Sequence, residues 1–179
     1  MKQRLSILGS TGSIGVQTLD IVRQNQELFE ITSLVAGRNW ELLARQAIEF
    51  DADTVVIADE SKYELLSEAL KDYPIKVFTG DAAVSEVVRS SAVDVVVNAL
   101  VGYAGLHPTI AAIEAGKKIA LANKETLVVA GEIICRLAQR HKVKILPVDS
   151  EHSAIFQSLV GEDMTSVEKL LLTASGGPF

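Results

Sequence analysis

Residues Gly9–Gly15 read GSTGSIG and join a short apolar run, Leu5–Leu8, directly to a helical pattern that passes through Val22. Glycines at such a junction permit a tight turn and let the backbone approach a pyrophosphate closely. The first N–H groups of the following helix then face the anion. The spacing is G-x-x-G-x-x-G, so the middle glycine falls one residue later than in the common dinucleotide motif. We expect a nucleotide-binding turn, and a glycine-rich turn without a ligand is the alternative.

Short β-branched runs alternate with amphipathic helices on both sides of this turn. The candidate strands are Leu5–Leu8, Ile31–Val35, Thr54–Ile57, Ile75–Phe78, Val93–Ala99, Lys118–Leu121 and Val143–Val148. Most are continuously apolar, as is typical of strands buried on both faces of a parallel sheet. The alternation predicts an α/β fold with a doubly wound, mainly parallel sheet.

Helix signals fill the gaps between these strands. Asn39 is expected to cap one helix, and Ser61 with Glu64 has capping-box spacing at the start of the next. Pro108 suits the first turn of a further helix. The final residues differ in pattern, because a helix over 150–160 and a strand over 168–173 precede a glycine-rich end. We therefore expect a chain that breaks off inside a second domain.

Composition excludes several classes of protein. Seventeen basic and twenty-three acidic residues give a net charge of −6, which argues against a general nucleic-acid binder. The single cysteine, Cys135, excludes a disulfide within the chain and is expected to be a small buried hydrophobe rather than a catalytic thiol. No segment resembles a signal peptide or a membrane span, so no membrane partner and a cytoplasmic location are predicted.

The end of the second predicted strand indicates which nucleotide binds. An NAD-binding protein usually places a carboxylate there to hold the ribose 2′-hydroxyl. This chain has Gly37, Arg38 and Asn39 instead, and a guanidinium suits a 2′-phosphate. NADP is favoured over NAD, and a solvated surface charge beside a helix cap is the other interpretation of Arg38.

Polar residues also follow the last two predicted strands. Asp149 and Glu151 form a D-x-E pair whose oxygens favour Mg²⁺ or Mn²⁺, although a helix N-terminus with acidic first-turn residues explains the pair equally. Lys124 opens a helix, where a cation is poorly matched to the dipole, and this indicates a role in binding an anion. Asn123 fits either a ligand contact or a cap, and His152 is interpreted as a polar residue of a helix start.

Together these motifs closely resemble 1-deoxy-D-xylulose 5-phosphate reductoisomerase. The resemblance rests on Gly9–Gly15, Gly37–Asn39, Ala122–Val128 (ANKETLV), Asp149–Ile155 (DSEHSAI) and Leu172–Phe179 (LTASGGPF). It implies conversion of 1-deoxy-D-xylulose 5-phosphate to 2-C-methyl-D-erythritol 4-phosphate in the non-mevalonate isoprenoid pathway, with NADPH and Mn²⁺ or Mg²⁺. It also implies a Rossmann-like NADPH-binding domain over 1–149, the start of an α+β catalytic domain over 150–179, and a homodimeric parent enzyme.

Site residues follow from the same resemblance. It implies cofactor contacts at Thr11, Gly12, Ser13, Ile14, Gly37, Arg38, Asn39, Asn123 and Glu125. It implies contacts with the phosphorylated sugar at Lys124, Ser150, Glu151 and Ser175. Asp149 and Glu151 are the implied metal ligands, and Lys124 and Glu151 the implied catalytic residues.

Two other interpretations stay open from the residues alone. Another NADP-dependent dehydrogenase would share the glycine turn and Arg38 but has no need of the D-x-E pair. A non-catalytic nucleotide-binding domain would bind cofactor without substrate chemistry. Because members of the resembled family are about twice this length, the 179 residues are not expected to complete the reaction alone.

Overall fold

The computed structural model describes residues 1–172, and a parallel sheet of seven strands forms the centre of this part. The strands are β1 (Gln3–Leu8), β2 (Phe29–Ala36), β3 (Thr54–Ile57), β4 (Lys76–Thr79), β5 (Val95–Asn98), β6 (Lys118–Leu121) and β7 (Ile145–Pro147). They lie in the order β4-β3-β2-β1-β5-β6-β7, and each neighbouring pair is parallel. The predicted doubly wound α/β fold is confirmed, with its topological switch point between β1 and β5.

Helices cover both faces of this sheet. Over the described residues they are α1 (Ser13–Gln24), α2 (Trp40–Glu49), α3 (Tyr63–Leu70), α4 (Gly80–Val87), α5 (Leu106–Glu114), α6 (Lys124–His141) and α7 (Ser150–Leu159). The first three share one apolar core with the sheet, and α4, α5 and α6 share the other. Within residues 1–172, no helix combines the length and apolarity needed to cross a membrane.

Alternation along each strand explains why both faces are apolar. On β1, Ile7 lies in the core beneath α1–α3, whereas the next residue, Leu8, lies in the core beneath α4–α6. Neither side chain is accessible to solvent. Because successive strand residues point to opposite faces, a sheet covered twice needs consecutive apolar residues. The continuous apolar runs in the sequence therefore predicted these strands within a residue or two of their ends.

One local prediction, the capping box at Ser61 and Glu64, was wrong. Asp59, not Ser61, caps the segment before α3: its Oδ1 accepts hydrogen bonds from the Ser61 N–H at 3.1 Å and the Ser61 hydroxyl at 2.6 Å. A 3₁₀ turn then occupies Glu60–Lys62. The capping box fails because an earlier carboxylate takes the Ser61 donors. By contrast, Asn39 caps α2 as predicted, with its Oδ1 accepting from the Leu42 N–H at 3.2 Å.

Two further expectations fail near the end of the chain. Cys135 is exposed, because it lies one position past the buried Ile134 and therefore about 100° around α6 from the core face. The strand expected over 168–173 does not form over 168–172, which pair with no described strand, and residue 173 lies outside the described residues. A strand pattern needs a partner strand before it becomes a strand.

An ion pair at the amino end of the sheet ties β1 to the segment before β5. Arg4 donates from Nε to Asp94 Oδ2 at 3.0 Å and from Nη2 to Asp94 Oδ1 at 2.8 Å, and its backbone N–H also donates to Oδ2 at 3.0 Å. These contacts, chiefly the side-chain bonds from Arg4, lower the pKa of Asp94 to about 2. Asp94 therefore stays ionised well below the usual range of a carboxyl group.

We expect this pair to contribute to stability at neutral pH and to lose its contribution in acid. The folded pKa lies below the unfolded value of 3.8, so the contribution is complete above about pH 4 and disappears as the pH falls through about 2. Thermal unfolding from pH 7 to pH 2 measures it: Asp94→Asn should melt below the unmodified chain at pH 7, and the gap should close in acid. Asp72→Asn, at an exposed carboxylate, is the control. A gap that persists at pH 2 would contradict the assignment.

Candidate functional site

The register of the sheet brings the predicted site segments to one edge. At the carboxyl ends of the strands, Leu8 pairs with Val35 on one side and with Asn98 on the other. Asn98 in turn pairs with Leu121, and Leu121 with Pro147. The residues that follow each of these positions therefore lie side by side along the edge where ligands bind in open α/β sheets. This row places the glycine turn, Lys124 and Asp149 on the same side of the molecule.

The glycine turn is held to the sheet by its backbone. The N–H groups of Gly9 and Ser10 both donate to the Val35 carbonyl at 2.9 Å, and the Gly12 N–H donates to the Gly9 carbonyl at 3.0 Å. Helix α1 then begins at Ser13 with no side-chain cap and no acidic residue in its first turn. Its first N–H groups and the positive end of its dipole are thus available to an anion.

At Gly9 and Gly15, other backbone atoms lie too close to leave room for a Cβ. Gly9 has φ +83°, and a Cβ there would lie 2.6 Å from the Ala99 carbonyl oxygen of the adjacent strand end. A Cβ on Gly15 would lie 2.2 Å from the Gly9 carbonyl oxygen and 2.6 Å from the Ser10 Cα. The start of α1 therefore packs against the glycine turn too closely for any residue with a Cβ at position 15. This close packing fits the approach of a pyrophosphate that the sequence predicted.

Arg38 lies in the loop between β2 and α2. Its side chain is 83% exposed, and its Nη2 lies 3.6 Å from Asp59 Oδ2 at the end of β3. Hydrogen bonds from Ser61, chiefly from its hydroxyl, and the positive charge of Arg38 outweigh partial burial and lower the pKa of Asp59. The exposed guanidinium can therefore meet an anionic group beside the glycine turn while it remains close to the Asp59 carboxylate.

Asn98 organises the loop that follows β5. Its side chain is buried, and its Nδ2 donates to the Gly105 carbonyl at 2.9 Å and to the Thr109 hydroxyl at 2.7 Å. Its Oδ1 accepts from the Leu100 N–H at 3.2 Å. Buried amides are tolerated when such bonds satisfy them. Asn98 thus holds the loop across the switch point in one conformation.

Asn123 acts as a buried cap rather than as a free ligand group. Its Nδ2 donates to the carbonyls of Leu100 and Gly102 at 2.7 Å and 2.9 Å, and its Oδ1 accepts from the Thr126 N–H at 2.9 Å. The side chain is 1% exposed. Both amide donors are therefore committed within the protein. The cofactor contact inferred for Asn123 stays a prediction.

Lys124 and Glu125 form the start of α6 immediately after this cap. Lys124 is exposed and Glu125 is partly buried. The helix is interrupted at Ala130, where φ is −139° and ψ is 25°, so residues 124–129 form a separate short segment. This segment places both side chains at the edge formed by the carboxyl ends of the strands, as the sequence predicted.

Asp149 is the N-cap of α7, and its Oδ2 accepts from the backbone N–H of His152 at 3.0 Å and contacts its Nδ1 at 2.6 Å. Burial raises the pKa of Asp149, but the two His152 hydrogen bonds and the His152 charge outweigh it and lower the value. Both contacts fall on Oδ2. Oδ1 is therefore the oxygen that a cation can use, and Glu151, exposed in the first turn, can supply a second carboxylate.

The described residues supply only part of a metal site. Among residues 1–172, no group of three or more His, Cys, Asp or Glu side chains lies close enough to hold an ion. The two carboxylates nevertheless have the hard oxygen donors that Mg²⁺ and Mn²⁺ prefer. Ser175, the remaining predicted substrate contact, lies outside the described residues.

A cavity that no sequence motif indicated lies next to the carboxyl end of β2. It has a volume of about 270 Å³, and its lining includes Val35, Ala58, Val84, Leu100, Tyr103 and His107. Tyr103 Oη lies 3.4 Å from His107 Nε2, and the two rings meet edge to face with centroids 5.6 Å apart. Four separate segments of the chain form its wall, so no local motif marks it. The only sequence signal was Tyr103, which lies between Gly102 and Gly105.

Comparison with known proteins gives one family. A family model described as 1-deoxy-D-xylulose 5-phosphate reductoisomerase matches residues 5–131, and a model of the C-terminal domain of that enzyme matches residues 145–179. A protein of Porphyromonas gingivalis named 1-deoxy-D-xylulose 5-phosphate reductoisomerase is 62% identical over 179 residues. That alignment covers 100% of this chain and 46% of the relative, so the chain spans about half the length of the curated relatives it matches.

Solved structures give the same result. A reductoisomerase from Zymomonas mobilis in complex with NADPH superposes with a TM-score of 0.85 at 42% identity, over 88% of this chain and 41% of that one. Another reductoisomerase, in complex with NADPH, fosmidomycin and magnesium, has a TM-score of 0.84 at 40% identity. This second match covers 89% of this chain and 40% of that chain.

Proposed function

The chain belongs to the 1-deoxy-D-xylulose 5-phosphate reductoisomerase family, and we propose that it forms the NADPH-binding half of such an enzyme together with two ligands of its metal ion. The observation that carries this proposal is the single row of strand ends. It brings an anion-binding turn, an exposed arginine, a lysine and a carboxylate pair to one edge. An ordinary dehydrogenase has no use for the carboxylate pair in that position.

The turn and Arg38 support NADPH as the cofactor. The N–H groups at the start of α1, with Thr11, Gly12, Ser13 and Ile14, would hold the pyrophosphate. Arg38, between Gly37 and Asn39, would meet the 2′-phosphate. Because the adenine and the 2′-phosphate share one ribose, the adenine would enter the adjoining cavity beside Val35 and Tyr103. The two solved relatives described above contain NADPH.

The carboxylates and Lys124 support a phosphorylated sugar as the substrate. Asp149 and Glu151 would hold Mg²⁺ or Mn²⁺, and Lys124, Ser150, Glu151 and Ser175 would contact the substrate. When bound, NADPH supplies a hydride and the cation stabilises charge on the substrate oxygens. Lys124 adds a positive charge at the same edge, and Glu125 faces the cofactor. Lys124 and Glu151 are therefore the proposed catalytic residues.

The proposed reaction is the conversion of 1-deoxy-D-xylulose 5-phosphate to 2-C-methyl-D-erythritol 4-phosphate in isoprenoid biosynthesis. The proposed domain boundary is residue 149, with a catalytic domain from residue 150 onward. A homodimeric enzyme and a cytoplasmic location belong to the same proposal. The alternatives are a different NADP-dependent dehydrogenase and a non-catalytic nucleotide-binding domain. Neither needs the carboxylate pair, so a metal titration distinguishes both of them from the proposed function.

Mn²⁺ binding, measured by the loss of its free electron paramagnetic resonance signal, tests the metal ligands. We expect Glu151→Ala and Asp149→Ser each to weaken Mn²⁺ binding by about tenfold or more, because each removes a carboxylate. The serine retains a side-chain oxygen that can cap α7, so helix loss does not explain the result. Glu162→Ala, at an exposed carboxylate, should change nothing. Unchanged Mn²⁺ affinity in both site variants would favour an ordinary dehydrogenase.

A further inference from the structure

A buried glutamine on α2 donates a hydrogen bond to the backbone of the glycine turn. Gln46 is 5% exposed, and its Nε2 donates to the Ser10 carbonyl at 2.9 Å. The acceptor is a carbonyl oxygen, so the contacting atom must be the amide nitrogen. The contact joins α2 to the second residue of the glycine turn, across thirty-six positions of sequence.

Ser10 is consequently held on both sides. Its N–H donates to the Val35 carbonyl at 2.9 Å, and its carbonyl accepts from Gln46. The structure contains no cis peptide bond over the described residues. In a trans peptide the carbonyl and the next N–H point in opposite directions. Because the Ser10 carbonyl points inward to Gln46, the Thr11 N–H must point outward.

The Thr11 N–H has no acceptor among the described residues. It immediately precedes the exposed Gly12 and Ser13, next to the first N–H groups of α1. An outward N–H at this position adds one more donor for an anion at the helix N-terminus.

The Gln46–Ser10 contact leaves two buried oxygens unsatisfied. Ser10 Oγ and Gln46 Oε1 are both inaccessible, and neither has a hydrogen-bond partner among residues 1–172. The unpaired Gln46 Oε1 offsets part of what Nε2 contributes by satisfying the buried Ser10 carbonyl, so this bond stabilises the fold only modestly. Its clearest consequence is the orientation of the turn.

We propose that Gln46 is a positioning residue for the pyrophosphate of the cofactor: it fixes the Ser10–Thr11 peptide so that the Thr11 N–H faces the phosphates. This inference rests on the proposed NADPH binding and adds a residue that contacts no ligand itself. Its effect should be common to NADPH and NADH, because both carry the pyrophosphate. It should be absent for adenosine 2′-monophosphate, which carries only the 2′-phosphate that Arg38 meets.

Fluorescence titration of the 179-residue chain tests the proposal with Gln46→Met, which keeps the length of the side chain but cannot donate. We expect about tenfold weaker binding of NADPH and NADH alike, from loss of one donor and disorder of the turn. Binding of adenosine 2′-monophosphate, followed by NMR, should stay within about twofold. The melting temperature should fall only slightly, because the Ser10 carbonyl loses its donor while the unpaired Gln46 Oε1 is removed with it. Gln24→Met, the same change at an exposed glutamine of α1, is the matched control and should bind normally.

Several outcomes would overturn the proposal. Unchanged NADPH affinity in folded Gln46→Met removes it while leaving the proposed function intact. An equal loss for adenosine 2′-monophosphate shows general damage to the site and also removes it. Failure of the unmodified chain to bind NADPH overturns the proposed function and this inference together.

A second variant and a direct measurement guard against a misfolded methionine variant. Gln46→Leu also lacks a donor and carries no charge, so the same loss of NADPH and NADH binding is expected. In the unmodified chain, NADPH should shift the amide NMR signal of Thr11. An unshifted Thr11 amide at saturating NADPH would refute the outward donor.

Discussion

Gly15→Ala is expected to abolish measurable NADPH binding and to lower the free energy of unfolding by about 3 kcal/mol, the upper end of the usual cost of overpacking. The added methyl group would lie 2.2 Å from the Gly9 carbonyl oxygen and 2.6 Å from the Ser10 Cα. Both neighbours are backbone, which cannot rotate away as a flexible side chain can. The turn must therefore open, and the donors that face the pyrophosphate separate.

Urea unfolding and NADPH fluorescence titration measure these two effects. Gly131→Ala is the matched control, because a Cβ there would meet only the Leu127 Cβ at 3.9 Å. Alanine is also a better helix former than glycine, so this control should be neutral or slightly stabilising. If Gly15→Ala binds NADPH normally, the close packing of α1 on its turn is not needed for the cofactor site.

Arg38→Glu is expected to weaken NADPH binding about a hundredfold while changing NADH binding far less. The substitution removes a charged hydrogen bond to the 2′-phosphate and places a carboxylate beside the existing carboxylate of Asp59. Hydrogen bonds to charged groups contribute about 1.5–3 kcal/mol, and each 1.4 kcal/mol is a tenfold change in affinity. NADH lacks the 2′-phosphate, so it does not experience the lost contact.

Parallel titrations with the two cofactors decide the role of Arg38. Arg38→Lys should retain most of the preference for NADPH, because it keeps the positive charge. Arg136→Glu reverses an exposed charge on α6, where the arginine pairs with Glu132, and should leave both affinities unchanged. Equal losses for NADPH and NADH in Arg38→Glu would show that Arg38 supports the loop rather than reading the phosphate.

Arg38 and Gln46 are proposed to serve the cofactor in two different ways from the same β2–α2 unit. The loop after β2 presents a guanidinium to solvent, where it can contact a ligand directly. On the helix after that loop, the buried amide of Gln46 donates to the Ser10 carbonyl in the turn after β1. Cofactor preference and pyrophosphate affinity should therefore respond to different substitutions in the same structural unit.

The fold could be predicted well because its signal is local. Thr54–Ile57 and Lys118–Leu121 were predicted with the bounds that the structure has, since each is a short run between helix signals. Glycine spacing located the turn, and Asn39 was identified as a cap from its position before an amphipathic run. The strand expected over 168–173 failed because a strand also requires a neighbour, which local sequence does not reveal.

The candidate site was predicted less completely. Arg38, Lys124 and Asp149 were predicted as site residues because each follows a predicted strand, and the ends of parallel strands share an edge. Asn123 remained ambiguous from sequence, and the structure shows its amide occupied by Leu100, Gly102 and Thr126. The Cys135 prediction failed because one residue along a helix turns a side chain by about 100°.

Local sequence alone predicts the class of fold, the position of the glycine turn and the chemical types of residue beside it. These features depend on backbone freedom, charge and apolar periodicity, all of which are properties of neighbouring residues. The packing of the whole chain was needed to show that Gln46 reaches Ser10, that Asp59 pairs with Arg38 and that Asn98 and Asn123 hold the loop after β5. Those contacts join distant segments, and their partners are chosen by the order of strands in the sheet.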